Sequence, residues 1–360
     1  MKLKNIAIAF LGALLFATCS KKDDEKEYTA EESKAVVRST MDNFYNCLQN
    51  LNDGGFANFF HDLLFKEAVR DQNGETQSWG NFLGEKFDKQ NFAEGLTEGD
   101  RFNYHRMKGT YTWNKNTELW EKTANNENVT FIFPATKGAT NNGKLVIDQY
   151  EDTETTYGND KVYLPTAAHL YASVDNTKVF EVTVKNVTFE KKTNFTMPLS
   201  AHISIYTNPF TTTIQWNRQN PENFIFDFAF SSPQGCTTSL HADIKLTTSD
   251  YGNISSLEKA IDKIAFTATQ GELRIVGNID VKSLEEKGNE RKLRVEEINT
   301  YAKAVLMKGN SKIADVKYEE ENDKGVIYFI FSDGSREKAE KYVSDFEDRV
   351  TKIFKRFDRK

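Results

Sequence analysis

Cysteine, proline and glycine are all scarce in this 360-residue chain, which has three Cys, six Pro and 20 Gly. So few cysteines exclude the dense disulfide framework that staples small secreted domains. The low Pro and Gly content excludes a collagen-like or low-complexity chain. Histidine is rare too. His61, His105, His169, His202 and His241 include no pair at the i, i+4 spacing of a zinc protease or the short spacing of a zinc finger, so no metal site is expected. His202 and His241 occupy polar positions of separate strand patterns and are read as ordinary surface histidines. There is no Gly-x-Ser-x-Gly elbow, phosphate-cradling glycine loop or dinucleotide fingerprint, which argues against the common hydrolases and nucleotide enzymes. No catalytic residue and no cofactor is therefore assigned. Charge of one sign is not in large excess: 47 Lys plus Arg stand against 53 Asp plus Glu, a net −6, giving no reason to expect nucleic acid as a partner.

What the chain does have is aromatic mass, 12% in all with 27 Phe and 14 Tyr, enough for a globular body. It also has an informative start. Lys2 and Lys4 precede an apolar run from Ile6 to Ala17, too short to cross a bilayer as a helix, so residues 1–18 read as a signal peptide. No transmembrane helix is expected after residue 18. Leu15-Phe16-Ala17-Thr18 leads directly into Cys19, and Ser20-Lys21-Lys22-Asp23-Asp24-Glu25 follows. The first of these motifs resembles a relaxed bacterial lipobox, with Phe16 and Thr18 in places where the pattern prefers an aliphatic and a smaller residue. The second, carried by Lys21, Lys22, Asp23, Asp24 and Glu25, is similar to the export signal of surface-displayed outer-membrane lipoproteins of some Gram-negative bacteria. The plainer reading of that run is a solvated tether. The resemblance covers residues 1–25 only. It implies acylation at Cys19, anchoring in the outer membrane through the acyl chains, passage through the lipoprotein export machinery, and a body facing the cell exterior. Losing Lys2 and Lys4 with the signal takes the formal charge from −6 to −8, which disfavours contact of the body with anionic headgroups.

Residues 19–28 form the acidic tether, and 29–98 read as a helical segment. Thr29-Ala30-Glu31-Glu32 has the form of a capping box. Val37, Met41, Phe44, Leu48 and Leu51 then recur at helical spacing until Gly54-Gly55. Shorter helices are expected around Phe56 to Leu64 and Trp79 to Phe87. From about residue 99 to 289 the period changes to two. A hairpin over Gly109 to Thr123 is expected to set Tyr111 against Trp120, and Leu240, Ala242, Ile244 and Leu246 alternate with polar residues as in an antiparallel strand with one wet face. The phase slips between Val184 and Val187, which predicts a bulge at Lys185-Asn186. Residues 290–360 read as helix, hairpin and helix: Glu290 to Met307, then strands flanking Glu320 to Gly325, then a stripe from Tyr342 to Phe357. The fold class expected is α+β, a large curved antiparallel sheet with N-terminal and C-terminal helices packed on one side.

Candidate ligand residues are few. Trp113 and Trp120, flanked by Asn and Thr, suit stacking against sugar rings, although a cross-strand aromatic pair also stabilises a hairpin unaided. Phe224, Phe226, Phe228 and Phe230 share one face of one strand and either fill a core or line an apolar groove. Asp148, Glu151, Asp152, Glu154 and Asp160 read as a solvated loop without the order of a calcium site. Cys47 and Cys236 lie 189 positions apart and are expected as two unpaired thiols. Three functions stay open: a surface binding or assembly protein with a glycan or host protein as partner, a carrier of an apolar, lipid-like small molecule, and a glycan-processing enzyme. The first is preferred because it fits the export signal; the second fits the long aromatic sheet, and the third has no motif behind it.

Overall fold

In a computed structural model, residues 26–70, 74–92, 97–98, 101–157, 160–191, 196–254 and 257–357 are described. Cys19 and the run Lys21 to Glu25 lie outside them. The protein is α+β: helices lie toward both ends of the chain, and a sixteen-stranded sheet is antiparallel apart from the pairing of Gly109–Asn114 with Val129–Phe133. The described residues divide into two compact units, one within 26–49 and 213–352, the other within 50–212 and 353–357.

The first unit is built on alternation. Phe226, Ala242, Phe266, Gly277 and Ala304 are successive partners across five strands, and the next row holds Leu240, Ala268, Ile275, Leu306 and Ala314. Because side chains two apart share a face, this register gathers the apolar residues on one side. Val37, Met41, Phe44 and Tyr45 from the helix Ala30–Asp53, with Leu284 and Ile298 from later helices, complete the core. His241, Asp227, Asp243, Lys245 and Lys263 occupy the intervening positions and pair among themselves or with nearby carboxylates. The helix starts as its capping box requires: Thr29 Oγ1 accepts from the Glu32 N–H at 3.2 Å, and Glu32 Oε2 accepts from the Thr29 N–H at 2.9 Å.

Gly277 is a position where only glycine fits without movement. A Cβ there would lie 2.6 Å from the Lys303 carbonyl oxygen and 2.7 Å from Phe266 Cζ. The missing side chain lets the Phe266 ring cover the strand.

Three expectations are corrected in this unit. The helix expected over Glu290 to Met307 is instead two short helices, Val281–Glu290 and Val295–Tyr301, followed by the strand Ala302–Lys308. Ala302, Ala304 and Leu306 alternate toward the core, and alanine, a good helix former, hides that period. Asn299, inside the second helix, ties it to the adjacent strand: its Nδ2 donates to the Tyr318 carbonyl at 2.7 Å and its Oδ1 accepts from the Tyr318 N–H at 2.9 Å. The stripe from Tyr342 to Phe357 is interrupted, with a helix only at Phe346–Phe354 between single 3-10 turns. Cys47 and Cys236 are joined in a disulfide with Cα atoms 5.7 Å apart. Distance along the chain sets no distance in space, and both sulfurs are buried in the same unit.

The second unit contains the hairpin Gly109–Asn114 and Leu119–Thr123, the long strands Gly143–Tyr157, Asp160–Val174 and Thr177–Lys191, and the helices Gly55–Leu64 and Trp79–Lys89. Trp113 lies opposite Trp120 and Tyr111 opposite Lys122, two residues from the expected pairing of Tyr111 with Trp120. The bulge at Lys185-Asn186 is present: the ladder skips between Lys185 and Thr188, and Asn186 adopts φ +56°. Asp148, Glu151, Asp152 and Glu154 are not in a loop. They lie along the strand Gly143–Tyr157, and Asp160 opens the next one.

Two outcomes test this description. Gly277→Val is expected to cost about 1–3 kcal/mol through overpacking, read as a lower melting temperature. Thiol titration of the native body should find Cys47 and Cys236 unreactive, and reduction should destabilise it by about 2–5 kcal/mol. Reactive thiols before reduction would contradict the bond.

Candidate functional site

The sequence-derived ligand residues are mostly core. Trp113 is 3% exposed and Trp120 6%, in a cluster with Trp79, Phe82, Leu83, Tyr111 and Phe133. Trp120 Nε1 donates to the Leu83 carbonyl at 3.0 Å, and the two indoles meet edge to face at 5.6 Å. Neither ring presents a face to a sugar. The correction has a simple cause: the helix Trp79–Lys89 packs over the hairpin through Trp79, Phe82 and Leu83.

Of the phenylalanine stripe, Phe224 is fully buried and stacks on Trp216 at 4.9 Å, with Tyr251 beside it. Phe226 packs against the core of the first unit, while Phe228 and Phe230 are half-buried further along.

A different set of residues forms a cleft in the second unit, and it originates in two irregularities of the strand Gly143–Tyr157. Between Ile147 and Gln149 the ladder advances one residue on the partner strand and two on this one, so Asp148 is the bulged residue. The bulge shifts the phase. Leu145, Ile147 and then Tyr150 all pack against the same aromatic core, although Ile147 and Tyr150 are three apart. A second slip between Glu151 and Asp152 leaves Thr166 extra on the partner strand, next to Pro165, which has no N–H to give to the ladder.

Asp152 consequently follows Tyr150 onto the inner face. Its side chain is only 2% exposed, yet its Oδ1 accepts from Arg101 Nε at 2.9 Å while the arginine is 54% exposed. Asp152 Oδ2 is buried and makes no hydrogen bond of good geometry. Arg101 and Phe102 form a short strand, Asn103 caps the single-turn helix Tyr104–Met107, and these residues with His105, Tyr150 and Glu151 enclose a cleft of about 370 Å³. That is within the range of small-ligand sites. Phe102 meets Tyr150 edge to face at 5.0 Å, and the Arg101 guanidinium lies 5.4 Å from the Tyr163 ring. Burial, and then the adjacent Asp152 charge, raise the Tyr150 phenol above its ordinary range, so it stays a neutral hydroxyl. Tyr104 is raised in the same way by burial, and its hydroxyl donates to the Ile147 carbonyl at 3.2 Å.

The bulge itself is clamped. Asp148 Oδ1 is 2.6 Å from His169 Nδ1, and His169 Nε2 is 3.1 Å from Glu181 Oε1 on the following strand. Lys178 Nζ donates to the other Glu181 oxygen at 2.8 Å. Carboxylates at both ring nitrogens favour the imidazolium, in which both nitrogens donate. Partial burial works against that charge, but the bonds to Glu181 and Asp148 outweigh it, and the His169 pKa is raised. His241, between Asp227 at 2.7 Å and Asp243 at 3.6 Å, is raised by the same means. Among the described residues, no group of three His, Cys, Asp or Glu is placed to hold a metal ion.

Arg101, Phe102 and Tyr150 were not distinguished from sequence. The available signal was a carboxylate at Asp152 in phase with Tyr150, two residues after an aromatic that faces the core, with Pro165 on the neighbouring strand. Compared with protein-family models, curated proteins and solved structures, the chain matches none of them.

The clamp makes a pH prediction. Because His169 titrates at a higher pH in the folded protein than in the unfolded chain, its stabilisation is complete below the unfolded value of about 6.5 and is lost as pH rises through the folded value. The difference in melting temperature between the native protein and His169→Gln should be largest near pH 6 and shrink as the pH rises through the folded-state value. A gap that widened with pH would contradict the assignment.

Proposed function

We propose that this chain is a lipid-anchored outer-membrane protein facing the cell exterior, whose body works by binding. The observation that carries the reading is Cys19, placed directly after a short apolar run and directly before Ser20 and the lysine-then-acid run of Lys21 to Glu25. The Cys47–Cys236 disulfide supports it, since such bonds persist in oxidising compartments such as the bacterial envelope and are rare in the cytosol.

Binding is favoured over bond chemistry by how the polar groups of the second unit are committed. Asp152 holds Arg101, and both ring nitrogens of His169 are engaged by carboxylates, so these groups orient one another. A general base needs an accessible lone pair poised toward a substrate proton. A carrier of apolar molecules is less well supported, because Trp216, Tyr251 and the core of the first unit already cover Phe224 and Phe226.

Cys19→Ala should move the protein from the membrane to the soluble fraction and remove the acyl mass from the mature N-terminus. Replacing Lys21 to Glu25 with neutral residues should keep the lipid but abolish digestion by protease added to whole cells. An unmodified native N-terminus would overturn the anchor, and unchanged digestion would overturn the export role of the run.

A further inference from the structure

We propose that the cleft beside Arg101 and Tyr150 binds an uncharged sugar. The inference rests on the reading of the body as a binding protein and names the ligand class of that site. Three properties of the cleft lead to it.

The first is an arginine fixed from behind. Asp152 takes Nε from inside the fold, and among the described residues no acceptor is bonded to Nη1 or Nη2. A guanidinium oriented by a buried carboxylate is a rigid pair of donors at a half-exposed rim, suited to the oxygens of neighbouring hydroxyls. Its planar group loses little freedom on binding, because the carboxylate has already restricted it.

The second is charge. Asp152 already neutralises Arg101 at 2.9 Å, and Glu151, between Tyr150 and Asp152 on the strand, falls on the opposite face. An anionic ligand would compete with Asp152 for a charge that is already paired, whereas a neutral polyol needs only the hydrogen bonds that Arg101 still has to give.

The third is the aromatic wall. Phe102 and Tyr150 are half-buried and mutually braced edge to face, so they present apolar surface that does not collapse when the cleft is empty. Sugars have C–H faces that pack on such rings while their hydroxyls bond at the rim. The bulge at Asp148 is what turns Tyr150 to this side, so the wall depends on the strand's irregularity.

The test is calorimetric titration of the body, residues 28–360, with neutral oligosaccharides built from hexoses and N-acetylhexosamines, and with sialylated and uronic-acid counterparts. At least one neutral sugar should bind, and its acidic counterpart more weakly. Phe102→Ala should weaken binding at least tenfold. Arg101→Gln leaves Asp152 buried without its cation and risks misfolding. The double change Arg101→Gln with Asp152→Asn removes the donor pair without stranding a charge, and it too should weaken binding tenfold at an unchanged melting temperature. His241→Gln, in the other unit, should bind as the native protein does. Failure of every neutral sugar at millimolar concentration, preference for the acidic ones, or full affinity in the folded double variant would each overturn the sugar assignment. None of these results alters the acylation of Cys19, so failure here is distinguishable from failure of the anchor.

Discussion

Strand phase is the constraint on which both units depend. In a sheet, moving one residue transfers a side chain to the opposite face, so the dry side exists only while alternation is kept. The first unit keeps it over many strands. Ala242, Phe266, Gly277, Ala304 and Val316 remain in register, and the helix bearing Val37, Met41 and Phe44 has a continuous apolar surface to cover. Even the glycine serves this end, because the neighbouring Phe266 fills the space that a side chain would have occupied.

The second unit breaks the same rule at chosen places. Asp148 bulges, and Tyr150 and Asp152 arrive on the core side three and five residues after Ile147. A carboxylate on an inner face costs free energy unless it is paired, and Arg101 provides the pair. The bulged residue is exposed and has been given to His169. Irregularity, buried charge and histidine clamp are therefore parts of one local arrangement. In the second unit the cleft borders the packed aromatic cluster, so that rings and polar groups are half-open together there.

The cores differ in kind. In the first unit small and aliphatic residues fill rows between sheet and helices, with the Cys47–Cys236 bond joining the first helix to the turn before Thr237–Leu246. In the second, tryptophans and phenylalanines meet mostly edge to face, and their polar tips find backbone partners: Trp79 Nε1 donates to the Pro134 carbonyl and Trp120 Nε1 to that of Leu83. An indole satisfied in this way can be buried without penalty. That is why Trp113 and Trp120, which suit sugar stacking by residue type, are core instead.

Local pattern was enough for the α+β class, the capping box at Thr29, the helices beginning near Gly55 and Trp79, the hairpin from Gly109, the wet and dry faces around Leu240 to Leu246, and the bulge at Asn186. Each depends on residues within a few positions of one another, so periodicity and turn chemistry record it. The alternation at Ala302 to Leu306 is masked in sequence because alanine, a strong helix former, gives it a helical look. What only the tertiary structure decided is what joins distant residues: the bond from Cys47 to Cys236, the helix lying over Trp113 and Trp120, and the meeting of Arg101 with Asp152. These are distances across the fold. A linear sequence states which groups are available, and chain packing alone determines which of them touch.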